Sequence, residues 1–161
     1  MMQSESLKKT LMAVFIAAAT VGYVGIGSAH TAGATLDPDS SIRSFTGQAF
    51  VTCFNDGNGE ADHLIARIRD LSPPVSGLLV NLQLYKGNKS NSISDTISGD
   101  ADFSPFITLQ NGPGVYWIMV NKTDKGARNF ELEWHCNTRD GVHTGTDIGV
   151  SQFGEPEFIS K

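Results

Sequence analysis

The chain has 161 residues, of which 40% are hydrophobic and 18% charged, and its formal net charge at pH 7 is −5. This length and composition suit one globular domain with its own core. The acidic balance argues against nucleic acid and anionic membrane surfaces as partners, because proteins bind both through clustered basic residues.

The first 34 residues have the three parts of a secretory signal peptide. Lys8 and Lys9 form a basic start, residues 11–26 are apolar, and small residues follow. The apolar run is shorter than the roughly 20 residues that a membrane span needs. We therefore expect no integral membrane span and a periplasmic or extracellular protein.

The small-residue rule for signal cleavage fits the chain at two places. Cleavage after Ala29 would make His30 the first residue, and cleavage after Ala34 is the alternative. We assign residues 1–34 to the signal peptide and predict a single domain over residues 35–161. The leader carries two lysines and one glutamate, so its removal changes the net charge from −5 to −6.

Apolar and polar residues alternate in short runs along the rest of the chain, which is the pattern of half-buried β-strands. Turn residues separate the runs, and we find no helical periodicity. This pattern predicts an all-β protein, a small antiparallel β-sandwich of jelly-roll-like form with about eight strands. The predicted strands cover residues 45–54, 63–69, 78–85, a short stretch within 90–102, 106–110, 115–120, 130–136 and 148–153.

Cys53 and Cys136 are the two cysteines of the chain. In an exported protein they are expected to form one disulfide, because oxidising compartments favour pairing. Closing so long a loop would stabilise the fold by about 4–5 kcal/mol on the entropic model. A metal site on these two thiols alone lacks the closely spaced Cys and His ligands that such sites show.

Four short motifs fall in a recognisable order between residues 45 and 136. They are Phe45-Thr46-Gly47, the leucine-alternating run 78–85, the Gly-x-Tyr-x-x-x-Val run 114–120, and Phe130-Glu131-Leu132. In this order the chain resembles the pre-peptidase C-terminal (PPC) domain family of bacterial exported proteins. The resemblance implies a small jelly-roll-like sandwich with a non-catalytic accessory or binding role, and it carries over no catalytic residue.

The histidines are the first set of candidate ligands. An N-terminal histidine offers its amine and its imidazole together, a nitrogen pair that Cu(II) favours. Strand alternation places His135 on a solvent face beside Glu131 and Glu133, so ordinary surface histidines are the alternative interpretation. The candidate copper ligands are His30, His63, His135 and His143.

The loop after the first predicted strand is rich in oxygen ligands, which Ca²⁺ prefers. It lacks the glycine and glutamate positions of an EF-hand loop, and loops of this composition are also ordinary turns. The candidate calcium ligands are Asn55, Asp56, Asn58, Glu60 and Asp62.

Tyr116 and Trp117 are adjacent in a strand, so one of them must face away from the core. That ring is a candidate surface for a ligand such as a sugar. Glu131 and Glu133 lie two residues apart on one face, which suggests paired carboxylates for glycoside hydrolysis, but a solvated strand face is the favoured interpretation.

The sequence contains none of the local signatures of nucleophilic, metalloprotease, phosphate-binding or redox catalysis. We therefore expect an exported non-catalytic binding or accessory protein whose ligand is a small molecule, a glycan or a protein. The alternative is a periplasmic copper-binding protein that uses His30 with other histidines. A hydrolase is the third hypothesis.

Overall fold

The computed structural model describes residues 30–150 of the chain. The predicted signal peptide up to residue 29 and the tail after residue 150 lie outside this range. The described part contains no apolar helix long enough to cross a membrane. Its nine strands are β1 (His30–Leu36), β2 (Thr46–Phe54), β3 (His63–Asp70), β4 (Val80–Lys86), β5 (Lys89–Ser94), β6 (Ile107–Gln110), β7 (Gly114–Lys122), β8 (Arg128–Asn137) and β9 (Gly145–Val150).

The strands form two sheets that pack face to face. One has four strands in the order β1-β8-β3-β6, and the other has five in the order β5-β4-β7-β2-β9. Every neighbouring pair is antiparallel. The predicted all-β antiparallel sandwich is confirmed, with nine strands in place of about eight. The resemblance to the PPC family stays a prediction.

The core lies between the sheets and follows from the period-2 alternation of the strands. In β3, β4, β7 and β8 every second side chain is buried and its neighbours are more exposed. Burying one large apolar side chain stabilises the folded state by about 1.5–3 kcal/mol. The large apolar side chains buried in this core include Trp134, Tyr116, Phe130, Leu36, Leu64, Ile68, Leu82, Leu84 and Ile118.

The predicted disulfide between Cys53 and Cys136 is confirmed. Cys53 lies on β2 and Cys136 on β8, so the bond joins the two sheets through the core, with the Cα atoms 5.5 Å apart. Both cysteines are almost fully buried. The bond therefore fixes the end of β8 against the opposite sheet.

Strand β1 is the element that the sequence did not predict. It pairs with β8 over its whole length, from His30 opposite Trp134 to Leu36 opposite Arg128. The two backbones come close at Gly33, where an added Cβ would lie 2.7 Å from the carbonyl oxygen of Phe130. The sheet thus begins at His30, five residues before the predicted start of the domain.

A buried ion pair closes the end of the sandwich beyond β1. The Nζ atom of Lys122 donates to Asp37 Oδ2 at 2.8 Å and to two backbone carbonyl oxygens, and both side chains are almost fully buried. Burial alone would raise the pKa of Asp37. Hydrogen bonds from Lys122 and from the backbone amides of Gly126, Ile42 and Ser41 outweigh this effect and hold the pKa well below its usual range.

We expect Asp37→Asn to destabilise the protein most at neutral pH. The neutral amide would leave the Lys122 ammonium buried without a counter-charge. Because the folded-state pKa of Asp37 is lowered, its contribution is fully present above the unfolded pKa, about 3.9, and is lost as the pH falls further. Urea midpoints of the wild type and the variant should therefore converge between about pH 5 and pH 2.

Asp39→Asn is the matched control for this prediction, because Asp39 is exposed two residues away. Its urea midpoints should follow those of the wild type at every pH. A difference between Asp37→Asn and the wild type that stays constant down to pH 2 would contradict the prediction.

Candidate functional site

Three histidines meet at the end of the sandwich where β1 begins and β8 ends. His30 is the first residue of β1, His135 lies near the end of β8, and His143 lies in the loop between β8 and β9. Their ring centroids are separated by 5.3 Å for His30 and His143, 5.4 Å for His135 and His143, and 6.0 Å for His30 and His135. We call these three residues the histidine cluster.

The pairing of the strands creates this cluster. The β1–β8 register sets His30 opposite Trp134, and their rings stack with centroids 6.1 Å apart. The loop after β8 turns back through a bridge between Asn137 and His143, and the amide of Thr144 donates to the carbonyl oxygen of Cys136. Residues far apart in sequence therefore converge beside the disulfide.

The spacing of the rings suits a shared metal ion. Three imidazoles bound tetrahedrally, with metal–nitrogen distances of about 2.0–2.1 Å, would have ring centroids about 5 Å apart. The nitrogens themselves do not converge in this arrangement: His30 and His143 stack with an angle of 17° between their planes. Among residues 30–150, no three His, Cys, Asp or Glu side chains are already arranged to hold a metal ion. Coordination would require the rings to rotate within the cluster.

The environment of the cluster favours the neutral form of two of its rings, His30 and His143. Burial lowers the pKa of His30, and the neighbouring His143 and His135 lower it further. Burial and His135 also lower the pKa of His143, while Asp56 acts in the opposite direction. Neutral imidazole is the form that binds metals, so these two rings are available as ligands at neutral pH.

Glu133 orients the third ring of the cluster. The Nε2 atom of His135 lies 3.2 Å from Oε1 of Glu133. Since a carboxylate accepts hydrogen bonds, the proton of a neutral ring lies on Nε2 and the lone pair on Nδ1. A carboxylate behind a histidine is the usual outer partner of a metal ligand.

Glu133 is in turn held by β3. Burial alone would raise its pKa, but hydrogen bonds from Arg67 and His135 outweigh that effect and lower it. The guanidinium of Arg67 donates to Glu133 Oε2 and lies over the rings of Phe103 and Phe106, 4.3 and 4.4 Å from their centroids. This chain of contacts, which the sequence did not reveal, fixes the position of Glu133 beside His135.

The other carboxylate of the predicted pair is also bound by an arginine. Glu131 Oε1 accepts a hydrogen bond from Arg69 at 3.0 Å, just as Glu133 accepts from Arg67. The sequence favoured a solvated strand face for the two glutamates. In the structure they form cross-strand ion pairs on the outer face of the four-stranded sheet.

His63, the fourth predicted copper ligand, lies apart from the cluster. Its Nδ1 atom is 3.0 Å from Oδ2 of Asp62, whose two carboxylate oxygens also accept from Gln110. In the β3–β8 register His63 lies opposite Asn137. The structure therefore brings together three of the four predicted copper ligands.

The predicted calcium loop is closed by its own hydrogen bonds. Oδ1 of Asn55 accepts from the amides of Gly57 and Gly59, and Nδ2 of Asn55 donates to Glu60. Oδ1 of Asp56 accepts from the amide of Asn58 and the hydroxyl of Thr144. Asp62 lies immediately before β3, where it contacts His63 and accepts hydrogen bonds from Gln110. This is the pattern of a turn with side-chain caps, and calcium binding stays a prediction.

Of the two adjacent aromatic residues, Trp117 is the one that faces outward. Tyr116 is fully buried, and its hydroxyl donates to the carbonyl oxygen of Gly112 at 2.6 Å. Trp117 lies on the outer face of the five-stranded sheet and is 37% exposed. Tyr116 is therefore a core residue and not part of a ligand surface, because alternation along β7 directs it between the sheets.

Comparison of the chain with protein-family models, with curated proteins and with solved structures finds no match.

Proposed function

We propose that the protein is an exported, non-catalytic accessory protein that binds Cu(II) through His30, His135 and His143. The observation that carries this proposal is the approach of three imidazole rings from β1, β8 and the β8–β9 loop to within 5.3–6.0 Å of one another. Imidazole nitrogens suit copper. Nδ1 of His135 is the proposed donor atom, because Nε2 contacts Glu133.

We also propose that the mature chain starts at His30. Cleavage after Ala34 would remove five of the seven residues of β1, together with the close approach of Gly33 to β8. Cleavage after Ala29 would keep the strand and place a free amine on His30. The amine and imidazole of His30 would then chelate one Cu(II), with His135 and His143 completing a nitrogen-rich site.

An oxidising compartment fits this proposal. The chain forms an inter-sheet disulfide, and such bonds persist in the periplasm and outside the cell. Periplasmic or extracellular localisation therefore remains the proposed setting. The PPC resemblance adds the same expectation of an accessory protein.

A Cu(II) titration of two forms of the protein tests the proposed site. One form starts at His30, and the matched control starts at Ala29, which moves the amine away from the His30 ring while keeping every side chain. We expect the His30 form to bind one Cu(II) with nitrogen hyperfine structure in its electron paramagnetic resonance spectrum. The Ala29 form should bind at least about 10-fold more weakly, the size of effect seen for lost metal-site interactions.

Equal affinities of the two forms would show that the amine is not a ligand. Absence of stoichiometric binding by both forms would contradict the copper site itself.

A further inference from the structure

Three aromatic side chains form a row across the outer face of the five-stranded sheet, on the sheet that does not carry His30 and His135. Strand pairing sets Tyr85 of β4 opposite Trp117 of β7, and Trp117 opposite Phe50 of β2. Each alternates with buried residues of its strand, so all three point away from the core. We call Tyr85, Trp117 and Phe50 the aromatic row.

The aromatic row is accessible. Tyr85 is 42% exposed and Trp117 37%, while Phe50 is partly buried. Phe50 meets Trp117 edge to face, with ring centroids 4.3 Å apart. This contact supports the Trp117 ring from one side and limits its rotation. Contiguous exposed apolar surface marks interaction sites, whereas single exposed apolar residues are ordinary.

The neighbours of the row are mostly uncharged hydrogen-bonding groups. On one side the register places Gln83, Met119 and Gln48, and Ser92 lies opposite Gln83. On the other side it places Val115, Thr52 and Asp147. Asp147 is the one charged residue among these seven. Such a surface has no counter-charge for an anionic polymer, and it offers amides and hydroxyls to neutral hydroxyl groups.

The spacing of the row fits an extended sugar chain. Neighbouring strands are about 4.8 Å apart, so the row spans about 10 Å from Tyr85 to Phe50. That is the length of two pyranose rings in an extended β-1,4-linked chain. A pyranose presents C–H groups on its faces, which pack on aromatic rings, and hydroxyls around its rim, which the flanking amides and hydroxyls can meet.

We propose that the aromatic row and its uncharged neighbours form a binding surface for a neutral β-1,4-linked polysaccharide. Trp117 is the central platform, Tyr85 contacts the next sugar along the chain, and Gln83 and Gln48 hydrogen-bond to sugar hydroxyls. This site is independent of the copper proposal, because it uses no residue of the histidine cluster.

Affinity electrophoresis in gels that contain hydroxyethyl cellulose tests this proposal. We expect the wild-type protein to be retarded and Trp117→Ala to migrate as in a gel without polysaccharide, a loss of at least 10-fold in affinity. Tyr85→Ala should show an intermediate retardation. The matched control is Phe106→Ala, which removes an exposed ring outside the row and should be retarded like the wild type.

A fluorescence titration separates loss of binding from loss of folding. Trp117 is the exposed one of the two tryptophans, so added cellohexaose should shift the emission of the wild-type protein and leave that of Trp117→Ala unchanged. Circular dichroism melting should show that Trp117→Ala and Tyr85→Ala are both folded. Gels that contain alginate, an anionic polysaccharide, should not retard the wild type.

Any one of four results would overturn the proposal. The first is equal migration of the wild type with and without hydroxyethyl cellulose. The second is equal retardation of the wild type and Trp117→Ala, and the third is retardation by alginate alone. Loss of self-association in Trp117→Ala, with no effect of polysaccharide on either protein, would assign the row to a second copy of the chain and would also overturn it.

Discussion

Replacing Cys53 and Cys136 together by alanine is expected to lower the free energy of unfolding by about 2–5 kcal/mol. The disulfide links β2 to β8 across the core and closes a loop between residues 83 positions apart. Its loss restores the conformational freedom of that loop in the unfolded chain. Urea unfolding of both proteins at pH 7 without reductant would measure the difference.

The matched control for this prediction is the wild-type protein with its disulfide reduced, which keeps both sulfur atoms. It should be destabilised nearly as much as the double alanine variant if the effect comes from the cross-link and not from core packing. A change below about 0.5 kcal/mol, the range of ordinary surface substitutions, would contradict the structural role assigned to the bond.

Replacing His143 by glutamine is expected to weaken Cu(II) binding by about 100-fold. Loss of a residue that hydrogen-bonds to a metal ligand lowers metal affinity by about 10–100-fold, and loss of the ligand itself should lower it at least as much. His135→Gln should have a similar effect. Glu133→Gln should cost about 10-fold, since it leaves the ligands in place and removes only the carboxylate behind His135. Competition with a Cu(II) chelator of known affinity would measure each value.

His63→Gln is the matched control, because His63 is the one histidine outside the cluster. It contacts Asp62 and should bind copper like the wild type. Equal loss of affinity in His63→Gln and His143→Gln would mean that copper binding does not depend on the cluster seen at the end of the sandwich.

The sequence predicted most of the strands because the sandwich buries every second residue. The alternation of apolar and polar residues was enough to predict the strands at residues 78–85 and 130–136. β1 was missed because, apart from His30 and Leu36, its residues are small and weakly apolar. Its position depends on pairing with β8, some 100 residues away, and no local pattern reports that pairing.

For the candidate sites too, the sequence predicted individual residues but not the long-range pairing that brings them together. Four histidines could be named from the sequence, but the β1–β8 register and the turn after β8 select His30, His135 and His143. Adjacency required that either Tyr116 or Trp117 face outward. Tyr85 and Phe50, the neighbours of Trp117 in the aromatic row, lie on other strands, and only the strand register places the three rings side by side.

The most direct test of the copper proposal is an intact mass of the exported protein, measured without reductant, with copper analysis of the same sample. We predict a chain that starts at His30, lacks the two protons lost on forming the disulfide, and carries one copper ion. A chain that starts at Thr35 would lack His30 and most of β1, and this result would contradict the copper proposal.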